Sequence, residues 1–598
     1  MEYLRLRRGI VIFAAFWLVI GGGGPTHAQQ AADGPIRLLP TVPPTPKLPD
    51  AETGAATAQG QPVPADQGIA VVALEQFDPS SVGVLSLETG GFDVTLWSGA
   101  RREMVEGLLP HIPALTPSRV AQSLRRRLLL TAAKVPSGPA TAPSFLGLRV
   151  ERLAAAGDYA SATALAALAP PQMDDPALDI ARADGALLDG NHQAACEIVD
   201  RSLALSRRAP YWVRRFVFCR VLDGDVEHAR LTSAILRELP GDPDPLFDRL
   251  LATLVDGSDV QIEPAKDVTP LHFAMIRAAR RAIPDSAANS DNPALLRAIA
   301  TSANASIEAR LMAGEAAEVV GSLSAESLGQ IYASLAFSDD QRANVLTAAL
   351  ELPRPLANAL LFQSAVGEDI PAAQAEALQT ALKLANARTH GMVARVNADR
   401  LVALTPDPDL VWFAADAGLA LLHAGAVDGA RGWFDLARLL VSETQADAAV
   451  AVLKLWPPLM VLPPSDPLPW VSDAVVAWWQ GIVELDSNQM SNLGGTVLSV
   501  FDAVGLAVPD PVWEQFTKSA ASVLAERPSV GVLRGLHAAA QGGRVGETVL
   551  FALVALGDKH PAEVDAVVLA DVVAALLAVG LRQDALALAL EAVVGRSL

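Results

Sequence analysis

Three short stretches of the chain, GDYASA from Gly157, GNHQAA from Gly190 and GDVEHA from Gly224, share a glycine and, five residues on, an alanine. They recur every 33 or 34 residues. That period holds one helical hairpin. The glycine supplies a turn residue tolerant of positive φ, and the alanine lets two helix backbones cross closely. So small a hairpin cannot bury its own apolar face, so neighbours must stack. The spacing returns in weaker form at Gly367/Ala372, Gly425/Ala430 and Gly580/Ala585. The expected fold is all-α: a right-handed α-solenoid of stacked helical hairpins.

Composition agrees. Half of the 598 residues are apolar but only 5% are aromatic, which suits close-packed Ala- and Leu-rich helices better than sheets. A formal charge of −20 argues against nucleic acid as a partner, because phosphate binding needs a basic face. Two arginine-rich stretches stand out locally: Arg125-Arg126-Arg127, and Arg207, Arg208, Arg214, Arg215 and Arg220. They read either as solvated helix faces and C-termini or as a contact for an anionic surface, an acidic partner or lipid headgroups.

The N-terminus carries a processing signal. MEYLRLRRG is a basic lead, IVIFAAFWLVI an apolar core of 11 residues, and Thr26 and Ala28 occupy the positions that a signal peptidase reads. Cleavage after Ala28 by the general secretory route is expected, leaving a periplasmic or secreted protein with no membrane span. An uncleaved inner-membrane anchor is the alternative. Residues 29–70, with eight prolines, read as a disordered linker. Residues 71–142 read as a small irregular or β-containing N-terminal cap, residues 143–455 as helical repeats, and residues 471–598 as a C-terminal helical domain. Between the last two, WPPLMVLPPSDPLPW (456–470) places six prolines between two tryptophans and reads either as a rigid elbow or as an exposed proline-rich contact.

Helix starts are punctuated by Asx-Pro pairs at Asp175, Asp244, Asn292, Asp407 and Asp510. Ser338 to Gln341 adds a capping box, and Thr116-Pro117 another start.

The Gly157, Gly190 and Gly224 phrases, with Tyr159 two positions after the first glycine, resemble the tetratricopeptide repeat family over Leu146 to Leu239. The resemblance implies a superhelix whose concave groove holds a protein or peptide, with no chemistry and no cofactor. In that register Gly157, Gly190, Gly224, Gly425 and Gly580 are turn residues. Cys196 falls in the second helix of one repeat and Cys219 in the first helix of the next. A disulfide stapling the two repeats and a pair of free thiols are both open.

No HExxH pair, phosphate loop, nucleophile elbow or metal-spaced Cys/His set occurs in the sequence. His192 and His228 fall at repeat turns, where local hydrogen bonding is the default. The chain is similar to soluble lytic transglycosylases in length, export and alanine-rich superhelix. The catalytic Glu-Ser of that family has one counterpart, Glu326-Ser327, which stands mid-chain without the rest of the signature. The expected function is therefore a non-enzymatic exported scaffold for protein–protein interaction in the bacterial envelope. The alternative is an enzyme or regulator of cell-wall (peptidoglycan) metabolism.

Overall fold

A computed structural model describes residues 78–597, apart from 171–172, 206–208, 239–242, 259–261, 263–266, 442–444, 463–470, 486 and 519–526. The signal segment, Ala28, the 29–70 linker, Arg207 and Arg208 lie outside the described residues. From Asp78 onward the chain forms one compact unit. Among the described residues it is helical throughout, with 29 α-helices and no strand, a solenoid-like all-α fold.

The hairpin turns are built as the repeat phrase requires. Gly157, Gly190, Gly224, Gly425 and Gly580 all take left-handed φ, between 77° and 84°. In each, the amide after the glycine donates to the carbonyl five residues before that amide, as Asn191 does to Ala186 at 2.8 Å. This closure satisfies a carbonyl that the helix end leaves unpaired. Five residues past each glycine, Ala162, Ala195, Ala229, Ala430 and Ala585 are buried at the helix crossings. Gly367/Ala372 departs from the pattern. Gly367 ends the helix Arg354–Gly367 without left-handed φ, the chain runs extended through Glu368, and Pro371 restarts the next helix. Ala372 is left exposed, and the buried small residue is Ala375. Left-handed turns with the same closure also occur outside the anticipated set, at Gly321, Gly505 and Gly543; after Gly543 the residue five positions on is the fully buried Thr548.

Asx caps work at four of the five proline pairs, with Asp244 accepting from Phe247 N at 3.0 Å and Asn292 from Ala294 N at 3.0 Å. Asp407 caps a 3-10 turn, Pro408–Phe413, in place of an α-helix, whereas Asp510 is itself the first residue of Asp510–Lys518. Ser338 and Gln341 form the capping box. Near Thr116 the cap falls two residues later, on Ser118, whose Oγ accepts from Ala121 N.

The proline-rich segment behaves differently from a simple elbow. The helix Ala446–Val461 runs through Trp456 and carries Pro457 and Pro458 inside it. Pro457 cannot donate to the Leu453 carbonyl four residues back. The indole N–H of Trp478 donates to that oxygen instead, at 3.1 Å. Trp456, Trp478 and Phe501 form a buried aromatic cluster there, with ring centroids about 6 Å apart. The remainder of the segment lies outside the described residues.

The N-terminal module is irregular: short 3-10 turns, the helices Arg102–Leu108 and Arg119–Leu130, and two isolated bridges, Leu85 with Thr131 and Arg101 with Ser137. A buried arginine takes the place of a ladder. Arg149, on the first repeat helix Phe145–Ala155, donates to the carbonyls of Ser80, Val82, Leu129 and Thr131. Burial lowers its pKa to about 10, so it stays charged at neutral pH.

This module also touches the far end of the sequence. Gly546 N donates to Leu96 O at 3.0 Å, and a Cβ on Gly546 would lie 2.6 Å from that oxygen. Helix Arg119–Leu130 packs on Arg582–Arg596. The N-terminal module and the C-terminal helices are thus in contact.

Candidate functional site

Where the ends meet, the contacts are charged. Ser118 Oγ donates to Glu591 Oε2 at 2.6 Å, and Arg119 N donates to Glu591 Oε1 at 2.8 Å. Glu591 therefore places its carboxylate at the amino end of helix Arg119–Leu130, where backbone donors and the helix dipole favour an anion. Two turns further on, Arg127 grips Asp584 through both carboxylate oxygens at 2.7 and 2.9 Å. The pairing of 119 with 591 and 127 with 584 makes the two helices antiparallel.

A third segment joins them. Glu318, fully buried near the end of Ile307–Val319, accepts from Arg119 Nη2 at 2.6 Å. It also accepts from Arg395 Nε and Nη2, both at 2.8 Å, a fork-to-fork pair. One carboxylate is thereby held by two arginines from distant parts of the sequence.

Behind this junction lie three buried histidines. The rings of His390 and His423 are 5.3 Å apart. Gly391 permits the approach, since a Cβ there would lie 3.2 Å from His423 Nδ1 and 2.9 Å from Arg395 Nη1. Burial, the largest cause, holds all three imidazoles below their ordinary range, His390 at about 4 and His423 well below the usual imidazole value. His560 Nδ1 accepts from Ala562 N at 3.2 Å, which caps the turn Pro561–Glu563. His390 Nδ1 and His423 Nε2 are buried without hydrogen-bond partners among the described residues.

On the outer side of the same junction a pocket of about 400 Å³ opens between helix Arg119–Leu130, the Gly157 turn, and the turn at Val320–Ser322. Four arginines line it, Arg119, Arg125, Arg126 and Arg297, against one carboxylate, Asp158. Among the described residues, no group of three or more His, Cys, Asp or Glu side chains is placed to hold a metal ion.

The residues singled out in sequence are distributed as follows. Cys196 and Cys219 are joined as a disulfide between His192–Ala204 and Pro210–Leu222, with Cα atoms 5.7 Å apart. His192 packs edge-on against Phe218 of the next helix, whereas His228 Nδ1 lies 2.7 Å from Asp225 Oδ2, a local contact at its turn. Glu326 is exposed in the first turn of Ala325–Ala333. Of the second arginine stretch, Arg214, Arg215 and Arg220 face Asp244, Asp184 and Asp223. Glu318, Arg395, Asp584, Glu591 and the histidines 390, 423 and 560 were not legible as a group. Their only local signal is the spacing of Asp584 and Glu591, seven apart on one helix face.

No family model matches the chain, and neither a curated protein nor a solved structure matches it.

Proposed function

We propose that this protein is a non-enzymatic helical-repeat scaffold of the bacterial envelope that binds a protein partner on the free face of helix Val226–Glu238. Export is inferred from the pattern of the first 28 residues. The observation that carries the binding reading is the exposure of Leu231 and Ile235, at 60% and 51%. They stand one turn apart on a single face of a helix whose buried residues are only Ala229 and Ser233. Its principal packing is against its own hairpin partner, Pro210–Leu222. Two large aliphatic side chains on such an outlying helix suit helix-to-helix docking by an amphipathic segment. The concave groove of an open superhelix supports this less well, because contact between the ends covers surface that an open array leaves to solvent.

In-cell crosslinking of the tagged chain, with the captured material identified by mass spectrometry, tests the reading. A near-stoichiometric protein partner is expected with the native chain and absent with Leu231→Glu/Ile235→Glu, while the melting temperature stays within about 2 °C. Equal capture by the double variant would remove this face from the interaction. Capture of peptidoglycan fragments in place of a protein would move the assignment to wall metabolism.

A further inference from the structure

The arginine-lined pocket beside the junction is independent of the partner face. We propose that it is a binding site for a small phosphate-bearing molecule. The chain carries a formal −20, yet Arg119, Arg125, Arg126 and Arg297 converge on about 400 Å³ with Asp158 as the only carboxylate in the lining. That volume accommodates a phosphate group with a modest organic substituent.

The four guanidinium groups are unequally occupied. Arg119 is held by Glu318 and donates from Nη1 to Gln122 Oε1 at 3.2 Å, and its buried Nε has no hydrogen-bond partner among the described residues. Arg125 spends Nη1 on the carbonyls of Pro113 and Ala114, at 2.8 and 2.7 Å, which fixes its guanidinium at the pocket wall. Among the described residues Arg126 makes long contacts, 3.4 Å to Asp158 Oδ2 and 3.4 Å to Ser161 Oγ. Arg297 reaches Asp189 at 3.9 Å. The pocket thus combines two anchored cations with two that are loosely committed and partly exposed. Burial holds both Arg119 and Arg125 below the ordinary guanidinium range, and Arg125, at about 10, stays charged while being poorly solvated. An anion in the pocket would restore what desolvation removes.

Phosphate fits the arrangement better than a carboxylate. Three of the guanidinium groups come from helix Arg119–Leu130 and the fourth, Arg297, from helix Pro293–Ala300 across the pocket. A tetrahedral dianion offers acceptor oxygens on several sides, whereas a carboxylate offers one planar edge to one arginine. The site lies within a negatively charged molecule, so attraction is local and falls with salt.

The test uses the full chain, with inorganic pyrophosphate as the probe and succinate as the dicarboxylate comparison, by calorimetry and thermal shift at low salt. Saturable pyrophosphate binding is expected, weakened at least about tenfold by Arg126→Gln/Arg297→Gln and largely recovered by Arg126→Lys/Arg297→Lys. Arg230→Gln, an exposed arginine paired with Asp256 away from the pocket lining, should leave affinity unchanged. Both pocket positions are partly exposed, so the variants are expected to fold, and circular dichroism checks this. Equal binding by the Gln double variant, or equal loss in Arg230→Gln, would overturn the site. Absence of saturable pyrophosphate binding would do the same, and binding of succinate in preference to pyrophosphate would overturn the phosphate assignment.

Discussion

The hairpins between Phe145 and Glu238 and the junction of Arg119–Leu130 with Arg582–Arg596 both hold helices together, with opposite chemistry. In the hairpins the crossing residues are Ala162, Ala195 and Ala229, all buried and apolar. At the junction they are Arg119, Arg127, Glu318, Arg395, Asp584 and Glu591. Hairpin helices are covalent neighbours across a turn of fixed geometry, so non-directional packing is enough to seat them. Junction helices must find each other across hundreds of residues, and bidentate ion pairs select one register among many that apolar contact would tolerate.

The largest way to break this contrast is at Glu318. Replacing it by alanine leaves Arg119 and Arg395 facing each other without their shared counter-charge. Breaking a buried pair costs about 3–5 kcal/mol, and because both arginines keep some solvent access the lower end, about 3 kcal/mol, is expected in urea unfolding. A loss under about 1 kcal/mol would mean that apolar packing alone seats the junction.

Acid should produce a somewhat smaller effect. His390 is neutral in the folded protein with a pKa of about 4, against 6.5 when unfolded. The unfolded chain therefore takes up the proton first. The stabilisation is fully present above pH 6.5, falls as pH drops towards 4, and is constant below that. In His390→Leu, the loss of stability between pH 7 and 4.5 should be smaller than in the native chain by about 2 kcal/mol. An identical pH slope in both would show that this imidazole does not report on the junction.

The hairpins sharpen the comparison at the small end. Gly190→Ala and Gly224→Ala each force a side chain into left-handed φ, at a cost of about 1–2 kcal/mol. Nothing lies within 4 Å of the Cβ at 224, whereas at 190 the Arg277 guanidinium lies at 3.1 Å and must shift, so Gly190→Ala should be the costlier by a few tenths. Thermal unfolding of the two variants side by side measures the difference. Neutral outcomes at both positions would remove the left-handed turn as the reason for the repeat phrase.

What could be read from the sequence follows the same division. Turn glycines and crossing alanines are local, five residues apart, and five of the six anticipated pairs are placed as the phrase implies. Gly367 fails because Pro371 resets the helix start, and Gly543 is missed because threonine stands where alanine was sought. The prolines of 456–470 look like breakers in sequence, since nothing local reveals that Trp478 supplies the donor that Pro457 lacks. Arg125-Arg126-Arg127 shows why a charge run is hard to interpret. Successive helix residues point about 100° apart, so Arg125 faces the Pro113 and Ala114 carbonyls, Arg126 faces Asp158, and Arg127 faces Asp584. Three adjacent arginines thus serve three different neighbours, and the pocket takes its fourth cation from Arg297, far away in sequence. Ion pairs spanning 77, 199 or 457 residues leave no period to detect.

The hydrogen bond from Ser118 to Glu591 spans 473 residues, and that distance sets an order of events. A chain that emerges amino end first exposes helix Arg119–Leu130 long before the residues that cover it exist. Hairpins can close one after another as they appear, each needing only its neighbour. The start of that helix must wait for Glu591, and Arg127 for Asp584, until residues 582–596 arrive. Docking of that helix is therefore a completion step, and a chain interrupted before Asp584 is left with Arg127 and the amino end of the helix without the carboxylates that a finished chain brings to them.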